Sequence, residues 1–71
     1  MKMEKYAEII RELREDRGLK QSDIASVLGT TQQVYSRYEK RINEMPIRHL
    51  IALSKFYGVC SDYILGLTNK K

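Results

Sequence analysis

Two glutamines and an arginine are the residues in this chain best suited to a specific chemistry. Gln32, Gln33 and Arg37 sit close together. A glutamine can grip adenine at N6 and N7 together, and an arginine can grip guanine at O6 and N7. At about 100° per residue in a helix, Gln32, Ser36, Gln33 and Arg37 share an arc of about 140°, and Val34, Tyr35 and Tyr38 fill the opposite side. The polar arc is not a lysine and glutamate solvation surface. An ordinary amphipathic helix with a glutamine-rich wet face would show the same arc, so its surroundings must decide between the two readings.

The elements that position this helix read as follows. It runs from about Gln32 to Lys40. Before it comes a three-residue turn, Gly29-Thr30-Thr31, in which Gly29 supplies the bend and Thr30 or Thr31 offers an N-cap hydroxyl. Before that lies a helix from about Gln21 to Leu28 with Ile24, Ala25 and Leu28 inward. Two helices of this length around so tight a turn make a helix-turn-helix, whose second helix enters a major groove. A first helix, about Glu4 to Arg17, carries the apolar stripe Tyr6, Ile9, Ile10 and Leu13 and stops at Gly18. Pro46 opens a fourth, with Ile47, Leu50, Leu53, Ser54 and Tyr57 on one face and Gly58 at its end. Cys60 or Ser61 caps a short fifth helix, with Asp62 in its first turn. Tyr63, Ile64 and Leu65 close the bundle, and residues 66–71 form a fraying tail. Nothing alternates as a strand does. The expected fold is all-α, a compact five-helix bundle.

Composition narrows the function. The 71 residues suffice for one domain, residues 1–71, with a core over about 6–68. At 42% hydrophobic and 31% charged residues, the balance is that of a folded protein. The net charge of +4 is unevenly spread. Residues 1–16 carry more acidic than basic side chains, whereas residues 17–41 carry five basic and two acidic. Positive charge therefore gathers around the turn and the helix after it, where a phosphate backbone would select it. An enzyme is not expected: there is no Ser/His/Asp set, no Cys/His pairing and no glycine-rich phosphate loop. No metal or cofactor is expected either. Cys60 and His49 stand alone of their kinds and read as a half-buried cysteine and a surface histidine. With no long apolar run and a charged start, Met1-Lys2-Met3-Glu4-Lys5, the expected location is the cytoplasm.

Five segments, in order and at matching spacing, carry a resemblance to a known family. They are Ile10 to Glu15, Gly18-Leu19-Lys20-Gln21, Gly29 to Gln33, Tyr38-Glu39 and Gly58 to Gly66. The chain resembles the Cro/C1-type helix-turn-helix family of lambdoid phage repressors and their bacterial relatives, from about Tyr6 to Thr68. The resemblance implies a lambda repressor-like bundle and a sequence-specific DNA-binding transcriptional regulator, a repressor above all, whose partner is double-stranded operator DNA. It places Gln32, Gln33 and Arg37 at base-reading positions, with Ser36 beside them. Gln21 takes the place of the glutamine that holds a phosphate and buttresses the recognition helix, and Thr31 lies near the backbone. Arg14 and Glu39 match an ion pair between the first and third helices.

The chain also departs from the family pattern. Lys20 stands where relatives have Ser or Thr, so the second helix is expected to be weakly capped. Arg41 stands where they often have glycine. If positive φ is needed there, either Arg41 is strained by about 1 kcal/mol or more or Asn43 takes the left-handed role. Relatives are basic near Ile42 and Asn43, so Lys40, Arg41 and Arg48, with Lys20, substitute as phosphate contacts. An antitoxin or other protein-binding module of the same fold is the alternative. A homodimer on DNA, paired through Ile51, Phe56 or Leu67, would read two half-sites about 34 Å apart.

Overall fold

A computed structural model describes residues 5–71 and contains five helices. They are α1 (Lys5–Asp16), α2 (Gln21–Leu28), α3 (Gln32–Glu39), α4 (Ile47–Tyr57) and α5 (Ser61–Ile64). There is no strand among the described residues. The expected start of the first helix at Glu4 lies outside them. Each helix contributes one large, fully enclosed side chain to a common core: Ile10, Ile24, Tyr35, Leu53 and Ile64. Each aliphatic member stabilises the fold by about 1.5–3 kcal/mol relative to exposure. Tyr6, Leu13, Ala25, Leu28, Tyr38, Tyr57 and Val59 complete the cluster.

The helix starts show why these segments are helical where they are. Thr31 Oγ1 accepts the Val34 backbone N–H at 3.2 Å, which selects Thr31 rather than Thr30 as the cap of α3. Lys20 has no side-chain acceptor, yet α2 does not begin uncapped. The Asp23 carboxylate reaches back to accept the Lys20 N–H at 2.8 Å, one half of a capping box. The weak end expected from Lys20 is corrected by the residue three positions on. Pro46 occupies the N-cap of α4 with extended backbone. Cys60 is the N-cap of α5 but makes no side-chain cap bond there.

Four further expectations change. Helix α3 ends at Glu39, with Lys40 as its C-cap rather than its last residue. Cys60 is exposed, not half-buried, and His49 is buried, not a surface residue. The His49 Nδ1 lies 3.0 Å from the Tyr38 hydroxyl, so the polar ring is enclosed with a partner and joins α4 to α3. The tail does not simply fray: the Lys71 carbonyl accepts the Cys60 N–H at 3.1 Å, and the Lys71 ammonium sits 5.6 Å from the Tyr63 ring centroid. At the opposite edge, Arg17 donates to the Tyr57 carbonyl at 2.9 Å and stacks over the Tyr57 ring. That contact fastens the end of α1 to the end of α4.

Candidate nucleic-acid interface

Helix α3 has two faces of opposite character. On one, Tyr35 and Tyr38 are buried, at 0% and 3% exposure, with their rings edge to face 6.2 Å apart. On the other, Gln32, Gln33 and Arg37 are exposed and Ser36 is half-buried. These four, with Lys40 and Ile42, line one shallow open depression. The arc drawn from helical periodicity is therefore a real surface, and it is open to solvent.

The inner face is fixed by Glu39, the last residue of α3. Its side chain is only 4% exposed. Arg14 of α1 holds it through two nitrogens, Nε to Oε2 at 2.8 Å and Nη2 to Oε1 at 3.1 Å. This fork-on-fork geometry is the strongest arrangement open to the pair. Gln21, the first residue of α2, donates from Nε2 to Oε1 at 3.0 Å. Arg14 Nη1 also donates to the Leu19 carbonyl at 3.0 Å, which pins the connection into α2. One carboxylate thus ties α1 and α2 to α3.

Burial alone would raise the Glu39 carboxyl, but the bonds from Arg14 and Gln21 and the nearby Tyr35 hydroxyl outweigh it and hold the group below its ordinary range. The Tyr35 hydroxyl is enclosed beside that carboxylate without meeting hydrogen-bond geometry to it. Burial first, and then the nearness of Glu39, pushes Tyr57 up to about 12. Burial lowers His49, and the neighbouring Arg48 charge adds to the shift.

The expected phosphate-contacting residues separate into groups. Lys40 joins the depression. Thr31 is exposed and caps α3, so its hydroxyl already holds a backbone N–H. The Gln21 amide turns inward to Glu39, the buttressing half of the role expected for it. Lys20 is exposed at the start of α2, and Arg48 is exposed in the first turn of α4, outside the depression. Arg41 adopts φ 62°, the only left-handed non-glycine residue among those described. The left-handed role thus falls to Arg41 and not to Asn43. Its guanidinium lies 3.9 Å from Glu8 of α1, a half-exposed pair of little energetic weight. The Tyr6 hydroxyl donates to the Asn43 carbonyl at 3.0 Å and anchors this connection to α1.

Sequence reasoning passed over Ile42 as a member of the depression. Its signal was weak: an apolar residue in a connecting segment has no periodicity, and hydrophobicity alone places it inside.

A bundle of this form, with a tight turn presenting a polar-faced helix braced from behind, defines a helix-turn-helix protein. A family model described as helix-turn-helix matches residues 10–64. The chain belongs to the Cro/C1-type helix-turn-helix family. It is similar to YobD of Bacillus subtilis (strain 168), an uncharacterized HTH-type transcriptional regulator, with 34% identity over 64 residues, 90% of this chain and 57% of the relative. It is also similar to RstR of Vibrio cholerae, the transcriptional repressor of the cryptic phage CTXphi. That match has 35% identity over 54 residues, 76% of this chain and 49% of the relative. A third, YqaE of Bacillus subtilis (strain 168), is another uncharacterized HTH-type transcriptional regulator. It is 33% identical over 67 residues, 93% of this chain and 58% of the relative. The chain therefore spans between 49% and 58% of the length of these relatives. No solved structure matches it.

Proposed function

We propose that this chain is a sequence-specific DNA-binding module of a transcriptional regulator, a repressor above all, that reads duplex DNA by laying α3 in the major groove. The observation that carries the reading is the division of α3: Gln32, Gln33, Ser36 and Arg37 on an open face, and Tyr35 and Tyr38 locked beneath. Gln32, Gln33 and Arg37 grip base edges, with Ser36 between them. Lys40, Arg41, Lys20, Thr31 and Arg48 meet phosphates and fix the register. Gln21 steadies α3 through Glu39 and stands near the backbone. Residues 1–71 form one helix-turn-helix domain, its compartment is the cytoplasm, and it needs no catalytic group. Relatives named as transcriptional regulators and a phage repressor support the same reading.

A second copy would double the readable sequence. Ile51 and Leu67 are about half exposed and Phe56 is 38% exposed, which leaves an apolar surface on α4 and beyond α5 for a homodimer. No helix among the described residues is long and apolar enough to cross a membrane.

The test is a binding selection from random duplex DNA at a stated salt concentration. Recovery of a recurring sequence supports the reading, and paired half-sites about 34 Å apart support the dimer. A pool that stays random after selection, while the protein remains folded, refutes it and leaves the protein-binding alternative.

A further inference from the structure

Arg41 is the residue whose placement agrees least with the role just given to it. Its neighbours Lys40 and Ile42 line the depression with Gln32, Gln33, Ser36 and Arg37, and Arg41 does not. Its backbone is pinned at φ 62°. The Arg41 N–H bonds the Tyr38 carbonyl at 3.2 Å, and the next N–H, of Ile42, bonds the Arg37 carbonyl at 2.9 Å. A backbone held in this way sets the direction in which its side chain leaves the turn. That direction leads to α1, where the Arg41 Nη2 lies 3.9 Å from Glu8 Oε1.

Glu8 stands in the first turn of α1. The two side chains are 52% and 55% exposed, so the pair adds little to the fold. That weakness suits it to exchange. Water reaches both groups, and parting them strands no buried charge. A phosphate offers the guanidinium the same sign of charge and a forked, two-bond geometry that the contact at 3.9 Å does not use. The pair of Arg14 and Glu39 is the opposite case. Its side chains are 13% and 4% exposed and joined by two short bonds, so it holds the fold and cannot be traded.

We propose that Glu8 and a DNA phosphate compete for the Arg41 guanidinium, so that this one carboxylate lowers the affinity of the whole interface. Without DNA, Arg41 rests against α1. On a duplex it leaves Glu8 for the backbone. The proposal rests on the DNA-binding reading, with Arg41 among the phosphate contacts, and adds a brake to it. Phosphate is the same on every sequence, so the brake acts on all duplexes alike and leaves base preference untouched.

The experiment measures dissociation constants for the wild type, Glu8→Gln, Arg41→Gln and the double variant. The duplexes are the selected one and a scrambled one, at about 50 mM and about 200 mM salt. Glu12→Gln, at an exposed carboxylate one turn along α1, is the control for general charge. Thermal unfolding accompanies each variant, since an acidic residue in a first turn also favours its helix.

At low salt Glu8→Gln is expected to tighten both duplexes about two- to fivefold, the range of an exposed pair. The gain should shrink at the higher salt, where screening is stronger. It should vanish in the Arg41→Gln background and be absent from Glu12→Gln. Unchanged affinity in Glu8→Gln overturns the proposal. An equal gain with Arg41 already removed, or an equal gain in Glu12→Gln, also overturns it, because the carboxylate then acts through overall charge and not through Arg41. A folded wild type that binds neither duplex removes the DNA-binding reading itself, and the brake falls with it.

Discussion

The ends of helices α3 and α4 share a left-handed residue and, after it, an N–H bond reaching five residues back, and they differ in how that stop is used. Helix α4 stops at Gly58, φ 69°, and Val59 then drops into the core. Helix α3 stops through Arg41, φ 62°, and Ile42 is held in solvent beside Arg37. Glycine enters the left-handed region without steric cost, whereas an arginine there is destabilised by about 1–2 kcal/mol. The α4 turn therefore serves stability. The α3 turn gives up some stability, and Lys40 and Ile42 at that end stand on the face that carries Gln33 and Arg37. Strain stored in one place and absent from its counterpart is a pointer to function.

The largest perturbation falls on what braces α3 from behind. Glu39→Ala leaves the Arg14 guanidinium, 13% exposed, without its carboxylate, and is expected to cost about 3–5 kcal/mol in urea unfolding. A cost below about 1 kcal/mol would mean that the inner face does not hold the outer one in place. On the outer face, Arg37→Ala is expected to leave unfolding unchanged. It should weaken binding by about 1–3 kcal/mol and relax preference at one base pair. An unaltered preference removes Arg37 from the reading set.

Arg41→Gly sharpens the contrast between the two turns directly. Relieving the left-handed strain should raise stability by about 1 kcal/mol, offset in part by the freedom that glycine gives the unfolded chain. The same change should weaken binding to all duplexes alike if Arg41 meets phosphate. Gly58→Ala should destabilise, since it forces the opposite trade at α4. If both substitutions shift the unfolding midpoint the same way, the two turns do not differ as described.

Acid should loosen the contact between α3 and α4 before the brace behind α3. His49 is held below its ordinary 6.5 by burial and Arg48, so the unfolded chain takes up a proton first. The contribution is complete above pH 6.5 and declines as pH falls from there to the lowered folded value. The Glu39 carboxyl, held below 4.5, adds a second loss only at lower pH. Thermal unfolding between pH 8 and 5 should show the first decline in wild type and its absence in His49→Gln. An identical pH profile in the two proteins excludes His49 as its source.

Much of this was legible in the chain. The apolar stripes, the glycines at helix ends and the polar arc at positions 32–37 all follow from local periodicity and backbone chemistry. The warning at Arg41 came instead from the family resemblance, in which a glycine often stands at that place. The Arg14 and Glu39 pair was visible only through the family resemblance, because partners twenty-five positions apart share no local signal. His49 was misplaced because polarity argued for the surface, although it stands four residues before Leu53 on the same helical face, and the partner Tyr38 is what lets it be enclosed. The cap at α2 was hidden in the same way, since the rule looks for an acceptor at Lys20 while the acceptor belongs to Asp23. Ile42 shows the limit most clearly: its place in the depression beside Arg37 is set by the turn that ends α3 and not by any periodicity.

The bond from Gln21 to Glu39 has a last consequence. The leading residue of one helix of the pair is attached to the closing residue of the other, with Arg14 clamped onto the same oxygen. The turn between them has little freedom to open like a jaw. Approach to a duplex then aligns one preassembled piece, and little ordering entropy is left for the encounter itself.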